Sequence, residues 1–391
     1  MLLKLEVVLR GLPNQDLIIS DSADFILNSR IGRKAQLSKI NGYSLFIRDL
    51  IANIHYMALS CNYSEFTDHG LPHLCSLVDR ISNWTLKNNA LHLVDVLLSE
   101  EECAILLLAI LVHDIGMLSQ KPEDLDDNYP ISISKSQMDV PTWVRKTHIP
   151  RIEKLTKRIF KDSQIYEELL NSEFFSTSVN IAKVHGFWPW QTEFSRLKNR
   201  HQGLAAILAV SDLLDEDSTR CDIATLIHHK KGNMLNIAHW IRHSLTKNRI
   251  LIKRGVVYIE LITLPKTDEK FKIVFDALEN HFKLLYFYRE SLENIKISSL
   301  RLNFKAFTDN NDNLNEWWKI PGLNNQNALI HHLLSSFFSL SLLDGKRESK
   351  ENLNKAAKLQ LKNIDLSKYR KISGEVEVLS SYEQVFNAII N

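Results

Sequence analysis

The residues of this chain best suited to chemistry are His113 and Asp114, which end the apolar run Cys103-Ala-Ile-Leu-Leu-Leu-Ala-Ile-Leu-Val112 and lead into Ile115-Gly116-Met117. An imidazole beside a carboxylate at the end of a buried helix leaves two groups that are costly to bury unless something satisfies both. A divalent metal is the simplest such partner. Two further residues extend the pattern. His73 opens the amphipathic segment His73-Leu-Cys-Ser-Leu-Val-Asp-Arg-Ile81, and Asp212 lies late in Leu204-Ala-Ala-Ile-Leu-Ala-Val-Ser-Asp212-Leu-Leu-Asp215. The order along the chain is therefore His, His-Asp, Asp, each member on an apolar segment of helical period.

That order resembles the HD-domain metal-dependent phosphohydrolase superfamily, over roughly residues 60 to 230. The resemblance implies a helical core in which His73, His113, Asp114 and Asp212 ligate a divalent metal that activates water against a phosphate ester. His148, in Val144-Arg-Lys-Thr-His-Ile-Pro-Arg151, and His185, after Val179-Asn-Ile-Ala-Lys-Val184, stand where binuclear members of the superfamily have further histidines. They imply a second ion bridged by Asp114; without it they would support the first site or touch phosphate. The branch that cleaves cyclic dinucleotides has a His-His pair here and a downstream Gly-Tyr-Pro, whereas this chain has His185-Gly186 and no such signature.

His69 precedes His73 by four residues, the spacing at which eukaryotic cyclic-nucleotide phosphodiesterases place the histidine thought to protonate the leaving oxygen. It is read either as that proton donor, with His148 the next candidate, or as a capping residue at a helix start. Arg145, Lys146, Arg151 and Arg200 group near the ligand segments, as phosphate clamps or as solvated charges. Asp215 is expected to support Asp212 or to pair with Arg220. Further on, Leu213-Leu-Asp-Glu-Asp-Ser-Thr-Arg-Cys221 and Ile237-Ala-His-Trp-Ile-Arg-His243 resemble a bacterial subgroup of HD proteins joined to GHKL-type ATPases or other conflict-system effectors. This resemblance implies a separate ATPase or effector partner and a place in anti-phage defence. His239, Trp240 and His243 serve equally well as packing between domains.

The composition bounds the rest. The chain has 391 residues with 45% hydrophobic content, enough for more than one core, and its 12 Gly and 9 Pro are few for a loop-rich protein. Lys and Arg total 48 against 46 Asp and Glu, a formal charge of +2, so no global field gathers nucleic acid. The four cysteines, at 61, 75, 103 and 221, form no Cys-x-x-Cys pair, which argues for a reducing compartment and against a zinc knuckle. The longest uninterrupted apolar run, at 103–112, is about half of a bilayer crossing. The first ten residues alternate charged with apolar types and lack a secretory core. A cytoplasmic protein without membrane contact is the expectation.

The elements that must position these residues read as mainly α: an HD-domain helical core, a small α/β appendage and a helical C-terminal tail. The expected division is an N-terminal helical segment at 1–60, the core at 61–230, a small α/β module at 231–305, a linker at 306–327 and a helical region at 328–391. A polar loop at 119–140, beside the His-Asp pair, is either a lid or a connection. Helices are expected at 143–160, 178–184, 200–215 and 276–295. Two β-rich runs around Lys253-Arg254-Gly255 read as a hairpin, with another short β-run at 298–304.

The function expected is a divalent-metal-dependent phosphohydrolase or phosphodiesterase on a nucleotide-type substrate, whether dNTP, cyclic nucleotide or oligonucleotide messenger. It would carry one or two ions among Mn, Fe, Mg, Co, Ni and Zn. The competing readings are a metal-dependent single-strand nuclease and a non-catalytic sensor or scaffold whose metal cage serves stability.

Overall fold

A computed structural model describes residues 15–60, 69–86, 91–118, 140–161, 163–187, 191–216, 250–263, 290–297, 301–308 and 373–377, with the single residues 189, 243 and 288. For 140–142, 146, 259–263, 301–308 and 373–377 it describes the backbone alone. The expected loop at 119–140, apart from its last residue, and the expected linker at 306–327, apart from its first three residues, lie outside the described residues. The chain divides into two compact units, one of residues 1–63, 68–82 and 93–186, the other of 64–67, 83–92 and 187–391. The division falls inside the segment expected as one core, after Gly186.

The first unit is helical: α1 (Gln15–Asn28), α2 (Arg30–Gln36), α3 (Tyr43–Ser60), α4 (Leu71–Ser82), α5 (Leu93–Leu97), α6 (Glu100–Val112), α7 (Val140–Ile159), α8 (Glu167–Leu170) and α9 (Glu173–Lys183), with 3₁₀ turns at Ile115–Met117 and Gln164–Tyr166. Its centre is α6, in which every residue from 103 to 112 is buried. A helix apolar on all sides can only sit inside a bundle, and α2, α3, α4 and α9 pack around it. Each Leu or Ile so enclosed contributes about 1.5–3 kcal/mol. Burial on this scale pushes the Cys103 thiol up to about 12, which leaves it an inert core residue.

The start of α6 is set by a reciprocal cap. The Ser99 Oγ accepts from the Glu102 backbone N–H at 3.1 Å, and the Glu102 carboxylate accepts from the Ser99 N–H at 2.9 Å. Glu100, Glu101 and Glu102 also place negative charge at the positive end of the helix. The joint between α1 and α2 depends on Gly32, where a Cβ would lie 2.1 Å from the Ile26 carbonyl oxygen. Its N–H donates to the capping hydroxyl of Ser29 at 3.0 Å.

The second unit holds α10 (Thr192–Ser195), α11 (Asn199–Leu213) and a four-stranded sheet in the order β1 (Leu251–Lys253), β2 (Val256–Thr263), β3 (Arg301–Thr308) and β4 (Ser373–Glu377). Along α11 residues 203–211 are all buried, and Gly203 allows Ile295 to approach to where a Cβ would be 2.3 Å from its Cγ2. The expected hairpin is present. Strands β1 and β2 pair antiparallel across Arg254 and Gly255, both with positive φ (53° and 70°), the backbone a two-residue hairpin turn demands. Thr85 holds that turn, its Oγ1 accepting from the Arg254 N–H at 2.8 Å and its carbonyl from the Gly255 N–H at 2.9 Å.

Strands β2 and β3 run parallel, which requires a crossover between them. Of the helix expected at 276–295, Tyr288 and residues 290–295 are described: Tyr288 and 290–293 are helical, and 294–295 form a turn. One element differs from expectation. The described part of the C-terminal region, Ser373–Glu377, is a strand where helix was expected, and it pairs antiparallel with β3 at the sheet edge. Glu375, Val376 and Glu377 alternate polar with apolar, and charges of this kind suit an edge that must not pair further.

The cap of α6 generates a stability prediction. Ser99→Ala should cost about 0.5–2 kcal/mol, read as a lowered denaturation midpoint with unchanged slope in urea.

Candidate metal centre

The carboxylate of Asp114 is the meeting point of five imidazoles in the first unit. His69 Nδ1 lies 2.8 Å from Asp114 Oδ2, His113 Nε2 3.2 Å and His73 Nε2 3.9 Å from the same oxygen. His148 Nε2 and His185 Nε2 each lie 3.6 Å from the other oxygen, Oδ1. The carboxylate thus has two sides, each facing a pair of Nε2 atoms. Within the pairs, His73 and His113 are 3.3 Å apart and His148 and His185 are 3.5 Å apart.

One local device aims three of these rings. His113 Nδ1 donates to the carbonyl of Ile110 at 2.8 Å, His148 Nδ1 to that of Arg145 at 2.6 Å and His185 Nδ1 to that of Ala182 at 2.6 Å. Each acceptor is three residues earlier in the chain, so the device follows from helical geometry. For His113 and His185 the carbonyl belongs to the last turn of α6 or α9, where backbone acceptors lack helical partners. A carbonyl cannot donate, so Nδ1 carries the hydrogen in each ring, and Nε2 is the atom turned toward Asp114. In the pair of His148 and His185, the two Nε2 atoms face each other, and with both rings neutral two lone pairs meet with no hydrogen between them. That arrangement calls for a cation.

The donor set fits a divalent ion. His73, His113 and Asp114 offer ligand atoms within 4.8 Å of one another, as do Asp114, His148 and His185. Atoms bonded to one ion at about 2.0–2.2 Å stand about 3–3.5 Å apart, close to the separations within each group. Neutral imidazoles and one carboxylate are the ligands of Zn, Mn, Fe, Co and Ni sites.

Residues 63–285, more than half of the chain, match the family model HD-CE. The chain belongs to the HD-CE family. No curated protein and no solved structure matches it. The HD-CE match takes in His69, His73, His113, Asp114, His148, His185 and Asp212. An HD-type domain with a buried His/Asp cluster of this kind fits a metal-dependent phosphohydrolase.

The other expected residues are placed as follows. Asp212 lies in the second unit, half-buried in the last turn of α11, and Arg200 is half-buried in its first turn. Tyr288 is buried in the same unit; burial pushes its hydroxyl above the usual range and the Asp212 charge adds to the effect. Asp215 and Glu216 are buried, while Arg220 lies outside the described residues, as do His239 and Trp240; His243 is buried. Arg145 is half-buried on α7, and the Lys146 side chain is outside the described residues. Arg151, expected as a phosphate contact or a solvated charge, is instead buried and hydrogen-bonded to backbone carbonyls of Gly116 and Val144.

Sequence reasoning gave Gly116 no role, yet a Cβ there would lie 2.2 Å from the carbonyl oxygen of His148. A glycine directly after a candidate ligand pair was the available signal, since only a missing side chain lets two backbones approach so closely.

Asp114 is only 7% exposed. Burial alone would raise its pKa, but the charges of His113 and His69 and hydrogen bonds from His113 and His185 outweigh it and hold the carboxyl well below its usual range. For His148, burial is the largest influence and lowers the pKa to about 4; the attraction of Asp114 opposes this without overcoming it. The folded protein therefore keeps His148 neutral down to about pH 4, whereas the unfolded chain takes up the proton near 6.5. Between those values the unfolded state binds more protons, so stability falls as the pH falls. The chelator-treated protein should lose melting temperature across this window, and His148→Gln should flatten the slope.

Proposed function

We propose that the protein is a divalent-metal-dependent phosphohydrolase or phosphodiesterase acting on a nucleotide-type substrate, whether dNTP, cyclic nucleotide or oligonucleotide messenger. The observation that carries this reading is the convergence of five imidazoles on one buried carboxylate, three of them with Nδ1 held by a carbonyl. In the assignment, His73, His113, Asp114 and Asp212 hold one ion, and Asp114, His148 and His185 a second. Asp212 enters from its place in the order of ligands along the chain. Ions held this way supply Lewis acidity toward a phosphoryl oxygen and a water acidified toward neutrality.

The chain's own residues do the rest. Asp114 stays ionised and offers one oxygen to each pair of imidazoles, which balances positive charge on both sides. His69 is assigned the proton for the leaving oxygen. Its Nδ1 hydrogen bond to Asp114 fixes the ring beside the ligand groups. Arg145, Lys146 and Arg200 are assigned to substrate phosphates, as flexible or forked cations suited to them. A separate ATPase or effector partner and a role in anti-phage defence belong to the same proposal, and rest on the resemblance of residues 213–221 and 237–243.

The reading is tested by elemental analysis of the purified protein and of Asp114→Ala, joined to a phosphate-release screen. The screen covers free nucleotides, cyclic mono- and dinucleotides, and single- and double-stranded nucleic acids. The expected result is bound divalent metal and turnover in the wild type and loss of both in the variant. Full metal content in Asp114→Ala, or a metal-loaded wild type that cleaves none of these esters, defeats it. His69→Ala should keep its metal and lose about 10²–10⁴-fold in turnover on an ester with a poor leaving group. An ester whose leaving group needs no proton should react nearly as fast as before, and equal losses on both would make His69 structural.

A further inference from the structure

Two ligand groups that share one carboxylate need a fixed distance between the elements that carry them. One group is built on the end of α6 and the 3₁₀ turn that follows it; the other includes His148 on α7. These elements touch at Gly116, where a Cβ would stand 2.2 Å from the His148 carbonyl oxygen and 2.8 Å from its Cα. Backbone therefore meets backbone. Such a contact excludes closer approach and gains dispersion, but no part of it is directional.

Arg151 supplies the direction. It lies on the same face of α7 as Val144 and His148, at helical offsets of seven and three, and is only 6% exposed. Its Nη2 donates to the Gly116 carbonyl at 3.1 Å and to the Val144 carbonyl at 2.8 Å. The guanidinium carbon stands 4.8 Å from the centre of the Trp143 ring, which stacks the group in place. In the turn, the carbonyls of Asp114 and Ile115 accept from Met117 and Leu118. The Gly116 carbonyl between them and the next turn is the one that Arg151 binds. Burying a guanidinium is costly, and an apolar side chain of similar length would fill the space without that cost. What the apolar chain lacks is a donor, and what an ammonium lacks is the planar amino group, held by its stack on Trp143, whose two hydrogens are aimed at two carbonyls at once.

We propose that Arg151 is a positioning residue that sets the separation between His113–Asp114 and His148, and thereby the affinity for the second ion but not for the first. The proposal rests on the two-ion reading above. The experiment is a calorimetric titration of the chelator-stripped full chain with Mn²⁺, with metal counted after dialysis, for wild type, Arg151→Lys and Gly116→Ala. Wild type should bind two ions. Arg151→Lys, which keeps the charge but not the planar group stacked on Trp143, should bind the first with unchanged affinity and the second about 10–100-fold more weakly, the usual effect of losing a group that orients a ligand. Gly116→Ala, which drives the same backbones apart, should reproduce that selective loss.

Two ions bound by Arg151→Lys as tightly as by wild type overturn the proposal alone, as does an equal weakening of both ions. A wild type that binds no ion or one ion overturns the two-ion reading and the proposal with it. Should Arg151→Lys fail to fold by circular dichroism, Gly116→Ala decides, and undiminished binding of two ions by that variant overturns the proposal.

Discussion

An ionised carboxylate buried as deeply as that of Asp114 is among the costliest groups a protein can enclose, and the first unit is arranged around satisfying it. Five imidazoles from α4 and the residue pair before it, the end of α6, the middle of α7 and the turn after α9 converge there. Their number exceeds what one carboxylate can accept by ordinary hydrogen bonds, and three of the rings have already given their Nδ1 hydrogen to a carbonyl. The surplus of lone pairs turns a burial problem into a cation site. Positive charge between the rings and the carboxylate balances both at once.

The surrounding architecture is a means of holding those rings still. α6 supplies the rigid axis, because a helix enclosed on all sides cannot shift without opening cavities whose cost scales with their volume. The site lies at its C-terminal end, where the last-turn carbonyls are available and His113 uses one of them. The same economy recurs at the end of α9 with His185. Thus His113 and His185 are placed where helices end, and the hydrogen bonds that orient these two rings use carbonyls of the last turns.

In the second unit the same logic appears with different parts. α11 is buried from 203 to 211 and presents Asp212 in its last turn, beside Tyr288. The sheet is short, with a hairpin secured by Thr85 and an edge strand bearing alternate carboxylates. Family membership covers both units, since the HD-CE match runs from residue 63 to residue 285.

Much of this is legible in the amino-acid sequence. An unbroken apolar run ending in His113-Asp114 already implies an enclosed helix with costly groups at its end, because hydrophobic period and polarity are written in one dimension. The hairpin at Lys253-Arg254-Gly255 was readable for the same reason: two β-rich runs separated by a glycine leave little else to form. The C-terminal strand was not, since five residues joining a sheet far away in sequence carry almost no local signal. Histidine types and order named candidates, but which rings share an oxygen of Asp114 depends on contacts up to 71 residues apart in the chain. Arg151 shows the limit most clearly. In the sequence it is one cation among several near the ligands, and whether it meets phosphate or a carbonyl is decided by how closely Gly116 lets α7 approach. Local sequence determined the helices and the chemical types, while the packing of distant backbones decided which groups face one another.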